Sequence, residues 1–347
     1  MHLPEFLPWQ KDIASQWLGN KERFSHAWII YGIPGIGKLK FAHAAATGLL
    51  CESSLNGMAC GHCESCGWVK SGNHPDLRIV LPDATAVKEG FVTTPENDEA
   101  SGAKKTLSQD IRIEQVRQLE KLFNVSTHRG GYRVIVLYPA ESLNAASSNA
   151  LLKVLEEPPE NTIFLLVTHA IQRLLPTLLS RCRRLALPVP ESQVALDWLQ
   201  KNGVADGQVW LAATGGAPLS ALAFSQSDYE PVKYWLSAFA DKLAHREMPN
   251  LDKLAELLEK LQAKQWLDSL QRFVFDINLN RYGQVSRYFP TLGKNASIIA
   301  GNMAADKITQ LLKWLTEQQR IADHPLNARL FIMSTLQRVA LSCISKS

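Results

Sequence analysis

The stretch Gly32-Ile33-Pro34-Gly35-Ile36-Gly37-Lys38-Leu39 decides how the first half of the chain is read. Its glycine spacing followed by lysine matches a phosphate-binding loop. In such a loop glycines turn backbone N–H groups toward phosphates, the lysine reaches the outer phosphates and a following Ser or Thr hydroxyl holds magnesium. Leu39 stands where that hydroxyl is needed, and an alkyl side chain holds no cation. The apolar run Ala27-Trp28-Ile29-Ile30-Tyr31 predicts a buried strand before the loop. Phe41, Ala44 and Leu49 predict a helix after it, with its N-terminus facing an anion. Two readings stay open: Gly32, Gly35, Gly37 and Lys38 hold phosphates without magnesium, or the turn is inherited and binds nothing.

Outward from the loop the pattern is that of an α/β unit. His74-Pro75-Asp76 leads into Leu77 to Leu81, a second strand, and Val134 to Leu137 and Thr162 to Thr168 read as buried strands. Helical stripes lie between them: Ile113, Val116, Leu119, Leu122 and Phe123, then Leu143, Ala146, Ala150, Leu151, Val154 and Leu155, the latter ended by Pro158-Pro159. Residues 82–109 mix Gly, Pro, Thr, Asp and Lys without period and read as a mobile surface loop. Leu185 to Leu187 gives a last short strand before the Pro188-Val189-Pro190 linker, completing a parallel sheet flanked by helices. Beyond the linker only helical stripes follow, such as Leu251, Leu254, Leu258 and Leu261, or Ile308, Leu311, Leu312 and Leu315. Boundaries are expected near Pro188 and in the turn-rich Ser225 to Pro231, and there is no internal repeat.

A chain of 347 residues is too long for one ordinary core and suggests two or three domains. Its net charge of +4 permits acidic partners without pointing to them. No run approaches the roughly 18 apolar residues of a membrane helix, and Met1 to Ala14 lacks the basic-then-apolar layout of a signal peptide, so a cytoplasmic location without a membrane partner is expected. Of six cysteines, Cys182 and Cys343 stand alone while Cys51, Cys60, Cys63 and Cys66 are bunched. In a reducing compartment such bunching favours metal over disulfides. Four thiolates suit a closed tetrahedral zinc site, and Gly57, Gly61 and Gly67 let the chain turn tightly around it. An iron–sulfur cluster and free thiols are the alternatives, with His62 and His74 as weaker ligand candidates. A site with no open position adds folding energy and no catalysis.

Hydrolysis is argued against twice. A hydrolysing enzyme of this type ends its third strand in carboxylates that organise magnesium and the attacking water. This chain has Tyr138 and Pro139 there, with Glu141 past the strand end, and Leu39 on the loop. Ser180-Arg181-Cys182, next to Arg183 and Arg184, follows a helical segment. From the residues alone a solvated basic cluster leads over an arginine reaching a neighbour's γ-phosphate.

Taken together, the strand-flanked loop, the four-cysteine insertion, the segment Asn149-Ala150-Leu151-Leu152-Lys153-Val154-Leu155-Glu156-Glu157-Pro158-Pro159 and the triplet Ser180-Arg181-Cys182 resemble the bacterial clamp-loader subunits of the AAA+ class. The match is specific up to the Pro188 linker and beyond it rests on length and helical character. The resemblance implies an AAA+ P-loop module over 1–188 with a zinc-binding insertion at 51–66, a small helical lid over 189–228 and an all-α collar over 229–347 through which subunits associate. It implies a non-hydrolysing member that helps load the sliding clamp onto primed DNA, with gamma and tau motor subunits and a delta subunit as partners. Arg181 is the residue such a member lends in trans, which reverses the reading from the bare residues. Thr168 falls where motor subunits sense phosphate, and Leu219 falls where they carry a phosphate-sensing arginine. ATP or ADP without turnover stays open at the loop. Two other classes compete: an autonomous AAA+ ATPase or remodeller, against which Leu39, Tyr138 and Pro139 speak, and a zinc-dependent nucleic-acid binder, for which Trp68 and Lys70 are thin support.

Overall fold

The computed structural model describes residues 2–19, 24–91, 107–123, 125–128, 130–227, 230, 232–322 and 327–344. The chain divides into two compact units, Met1–Val194 and Ala195–Ser347.

The first unit is built on a five-stranded sheet in the order β2-β3-β4-β1-β5. The strands are β1 (Ala27–Tyr31), β2 (Leu77–Val80), β3 (Arg133–Leu137), β4 (Thr162–Thr168) and β5 (Arg183–Ala186), and every pairing is parallel. Parallel strands need crossovers, and helices supply them. Between the strands lie α2 (Lys38–Leu50), α3 (Glu64–Ser71), α4 (Asp83–Lys88), α5 (Ile113–Phe123), α6 (Ala145–Glu156) and α7 (Pro176–Arg181), while α1 (Lys11–Leu18) precedes β1. Both β3 and β4 are buried along their whole length, which is why they read as continuous apolar runs without alternation. Ile29, Ile135, Leu137, Phe164 and Leu166 face a core completed by Val116 and Leu119 of α5 and Leu151 and Leu155 of α6. Each such side chain taken fully out of water contributes about 1.5–3 kcal/mol. On α2, Phe41, Ala45 and Leu49 are buried, and the rings of Phe6 and Trp17 lie 5.2 and 5.5 Å from that of Phe41.

Three expectations need correcting. Residues 82–109 were expected as loop, but 83–88 form α4, which buries none of its residues and so left no apolar stripe to read; 92–106 lie outside the described residues. The last strand begins at Arg183, ahead of the expected Leu185, because it is a largely exposed edge strand that tolerates arginines. The helix expected from Leu143 starts at Ala145, where the Asn144 carboxamide accepts a hydrogen bond from the Ser147 backbone N–H at 2.9 Å.

Among the described residues the second unit is entirely helical. It holds α8 (Ser192–Lys201, begun just before it), α9 (Gly207–Ala213), α10 (Pro218–Ser225), α11 (Ser237–Ala244), α12 (Leu251–Leu258), α13 (Ala263–Arg281), α14 (Gly293–Asn302), α15 (Ala305–Ile321) and α16 (Ala328–Ile344). Ala195, Leu199, Leu211 and Ala221 make a small cluster among α8 to α10. A larger core gathers Trp235, just ahead of α11, with Phe239, Leu258, Trp266, Phe273, Leu315 and Leu336 from α11 onward. No helix among the described residues is long and apolar enough to cross a membrane.

Candidate nucleotide loop, metal centre and surface arginine

The loop after β1 is shaped by its glycines. A Cβ on Gly32 would lie 2.5 Å from the Leu187 carbonyl oxygen, and Gly35 and Gly37 have φ of +79° and +85°. Its inward lysine is already spoken for. The Lys38 ammonium donates to the carbonyls of Gly32 and Ile33 at 2.8 and 2.7 Å and to Nδ1 of His169 at 2.7 Å. An ammonium has three N–H groups, so all of them are used inside the chain. Burial lowers the Lys38 pKa to about 8, the Glu141 charge pulling the other way, which leaves the group cationic at neutral pH. Trp9 and Gln10 cap the loop further: both donate to the Ile36 carbonyl, and Gln10 also to that of Gly37.

The partner of Lys38 was not legible as such in the sequence. His169 follows β4, and burial, with the Lys38 charge second, lowers its pKa to about 4. It is therefore neutral at pH 7. Since Nδ1 accepts from Lys38, the ring proton sits on Nε2 and is donated to the Tyr138 hydroxyl oxygen, 2.9 Å away. Tyr138 is held protonated by burial first and by nearby Glu89 and Glu141. A lysine, an imidazole and a phenol are thus joined in one chain of hydrogen bonds beside the loop. Thr168 is fully buried and donates to Glu141 at 2.6 Å, while the other Glu141 oxygen accepts from the His169 N–H at 3.0 Å. Leu39 is 8 % exposed, an alkyl group at the mouth of α2.

The four clustered cysteines come together. Their Sγ atoms all lie within 4.8 Å of one another, and those of Cys51 and Cys63 are 3.8 Å apart, about the edge of a thiolate tetrahedron with metal–sulfur bonds of about 2.3 Å. Backbone N–H groups of Cys60, Cys63 and Cys66 donate to the sulfurs of Cys51, Cys60 and Cys63 at 3.2, 3.4 and 3.4 Å, which stabilises thiolates. N–H groups of His62 and Cys63 hold the Cys60 thiol down to about 6, whereas burial pushes Cys51 and Cys66 up. All four thiols are free of disulfides, and the donor set fits a metal such as zinc. Neither histidine joins them: the His62 ring bonds the Cys60 carbonyl, and His74 pairs with the Ser65 hydroxyl at 2.9 Å.

The triplet at the end of α7 splits by burial. Cys182 is 8 % exposed and belongs to the sheet core, whereas Arg181 reaches the surface. Its guanidinium donates to the Thr177 carbonyl at 3.0 Å, to the Ser180 hydroxyl at 3.3 Å and to the carboxylate of Glu156 on α6. Arg183 and Arg184 are exposed on β5.

A phosphate-loop turn between the first strand and its helix, on a parallel sheet ordered 2-3-4-1-5, makes the first unit an α/β module of the AAA+ class. Comparison with known proteins narrows that class. The family described as "DNA polymerase III, delta subunit" matches residues 11–191. The chain is 37% identical to the DNA polymerase III subunit delta' of Pseudomonas aeruginosa, over 63% of this chain and 61% of that one. It is 34% identical to the delta' subunit of Yersinia pestis, over 76% of this chain and 74% of that one. Among solved structures, a DNA polymerase III gamma-subunit-related protein from Thermotoga maritima aligns with a TM-score of 0.43 at 15% identity, covering 96% of this chain and 99% of that one, a likeness too distant to carry a functional argument. The chain belongs to the DNA polymerase III delta-prime subunit family.

Proposed function

We propose that the chain is a non-hydrolysing subunit of a bacterial clamp loader, helping to place the sliding clamp on primed DNA as part of the DNA polymerase III holoenzyme. Its partners in this reading are gamma and tau motor subunits and a delta subunit. The observation that carries the non-hydrolysing part is the closed bonding of Lys38, whose three N–H groups are taken by Gly32, Ile33 and His169. Phosphoryl transfer depends on placed charges. With that lysine engaged, Leu39 in place of a magnesium ligand and Tyr138 turned to His169, the charges for hydrolysis are missing. ATP or ADP held by Gly32, Gly35, Gly37 and Lys38 would have to displace the bonds that Lys38 already makes to Gly32, Ile33 and His169, and Thr168 serves Glu141 instead of a phosphate.

What the chain gives its complex is Arg181, a guanidinium at the surface that meets the γ-phosphate on an adjacent motor subunit. The rest is scaffold: a module over 1–188, a lid over 189–228 and a collar over 229–347. Cys51, Cys60, Cys63 and Cys66 would hold zinc, which supplies folding energy to the insertion without an open coordination position. Arg181→Ala in the reconstituted complex tests the reading. Assembly stays intact, since a surface change costs about 0.5 kcal/mol or less, and clamp-stimulated ATPase falls at least about tenfold. Unchanged stimulated ATPase removes the trans role, and magnesium-dependent turnover by the isolated chain removes the non-hydrolysing one.

A further inference from the structure

We propose that Glu156 is the positioning residue for Arg181, holding the guanidinium in a fixed pose from which its remaining N–H groups meet an anion on a neighbouring subunit; the proposal rests on the trans role given to Arg181 above. The two residues close the C-terminal ends of α6 and α7, 25 positions apart, and their side chains meet at the surface. Both helices are anchored beneath them. Leu151 and Leu155 of α6, Leu178 of α7 and Cys182 are buried in one core, so the backbone that carries the carboxylate and the backbone that carries the guanidinium move together.

A guanidinium has five N–H donors. Three are engaged: Nη1 donates to the Thr177 carbonyl and the Ser180 hydroxyl, and Nη2 donates to Glu156 Oε1. The Nε–H and the second Nη2–H are left over for phosphate oxygens, so the tie to Glu156 need not break when an anion arrives. Stability does not account for the tie. The side chains are 33% and 50% exposed, and ion pairs this open to water contribute little to folding. Its effect is on freedom: a long arginine held at three points has already given up rotamers that a free one loses only on meeting its target. Preorganised charge of this kind acts on the transition state and leaves ground-state binding almost unchanged.

The test is a double-mutant cycle in the reconstituted complex, reading clamp- and DNA-stimulated ATP turnover. Glu156→Ala lowers kcat about fivefold with KM for ATP unchanged, Glu156→Gln, which keeps the acceptor oxygen, recovers most of the loss, and Glu156→Ala on an Arg181→Ala background lowers it no further. Thermal unfolding and assembly are the same for all variants. An unchanged or faster Glu156→Ala complex, or an equal fractional loss when Arg181 is absent, overturns the proposal while leaving Arg181 its role. A silent Arg181→Ala removes the role itself, and the positioning proposal with it.

Discussion

At the loop, the decisive contacts are made by a residue with no motif of its own. The sequence leaves Lys38 either a phosphate ligand or part of an inherited turn and reads Leu39 and Tyr138 as losses, but nothing in the spacing couples Lys38 to His169, 131 positions on. That coupling arises because β1 and β4 are neighbours in the sheet, with Tyr31 opposite Thr168, which brings the residue after β4 to the loop after β1. Sequence order and sheet order differ, so a contact of this kind becomes visible only with the topology. The clue available beforehand was a histidine adjoining the polar strand end at Thr168. The bond carries a pH signature. Burial lowers the pKa of His169 and of His43 from 6.5 to about 4. Between those values the unfolded chain binds more protons than the folded one, so stability rises with pH there and is lost as pH falls from about 6.5 towards 4. For His169 the loss is at most about 3 kcal/mol. In His169→Gln, whose carboxamide can accept from Lys38 and donate to Tyr138 without titrating, that part of the slope is absent. Urea denaturation across this pH window measures it, and a slope equal to that of the unsubstituted chain sinks the assignment.

Among the elements, legibility follows burial. Strands β3 and β4, enclosed on both faces, are apolar except for Arg133, Thr162 and Thr168 at their ends and were readable to within a residue at each end. The elements that escaped are the exposed ones: α4 buries nothing and has only Asp83 in its first turn and Lys88 in its last to complement the helix dipole, while β5 begins with two arginines. The boundary of α6 shows what decides a helix start when periodicity runs past it. Leu143 continues the apolar stripe but precedes the cap, and the Asn144 side chain, bonded to the Ser147 N–H, fixes the first turn. Because α6 carries Leu151 and Leu155 in the core and Glu156 at its end, the cap matters to the site as well as to the fold. Asn144→Ala lowers the unfolding free energy by about 1 kcal/mol, and Asn144→Asp, which keeps an acceptor at the dipole's positive end, restores most of it. Equal stability of the Ala variant in denaturant titration would contradict this.

For the whole molecule, separate cores in two compact units mean that a perturbation inside one has a defined territory. The cysteine cluster belongs to the first unit: Cys51 follows α2, Cys63 caps α3 and Cys66 lies on α3, so a metal bound there joins the end of one helix to the start of another. The sequence supplied the four cysteines by spacing, but not the backbone N–H bonds to three of the sulfurs, which depend on how the turns close. A metal bound to the folded chain and present at about a thousand times its Kd stabilises by about 4 kcal/mol. Chelation therefore raises amide exchange in α3, the last turn of α2 and the residues leading into β2 by up to about a thousandfold. Helices α13 and α15, whose Phe273, Leu311 and Leu315 lie in the other core, keep their protection. Cys60→Ser with Cys63→Ser reproduces the pattern without chelator. Hydrogen exchange read by mass spectrometry separates the territories, and unchanged protection of α3, or a loss spread evenly through 195–347, would show that the cluster is not a local fold-stabilising metal site.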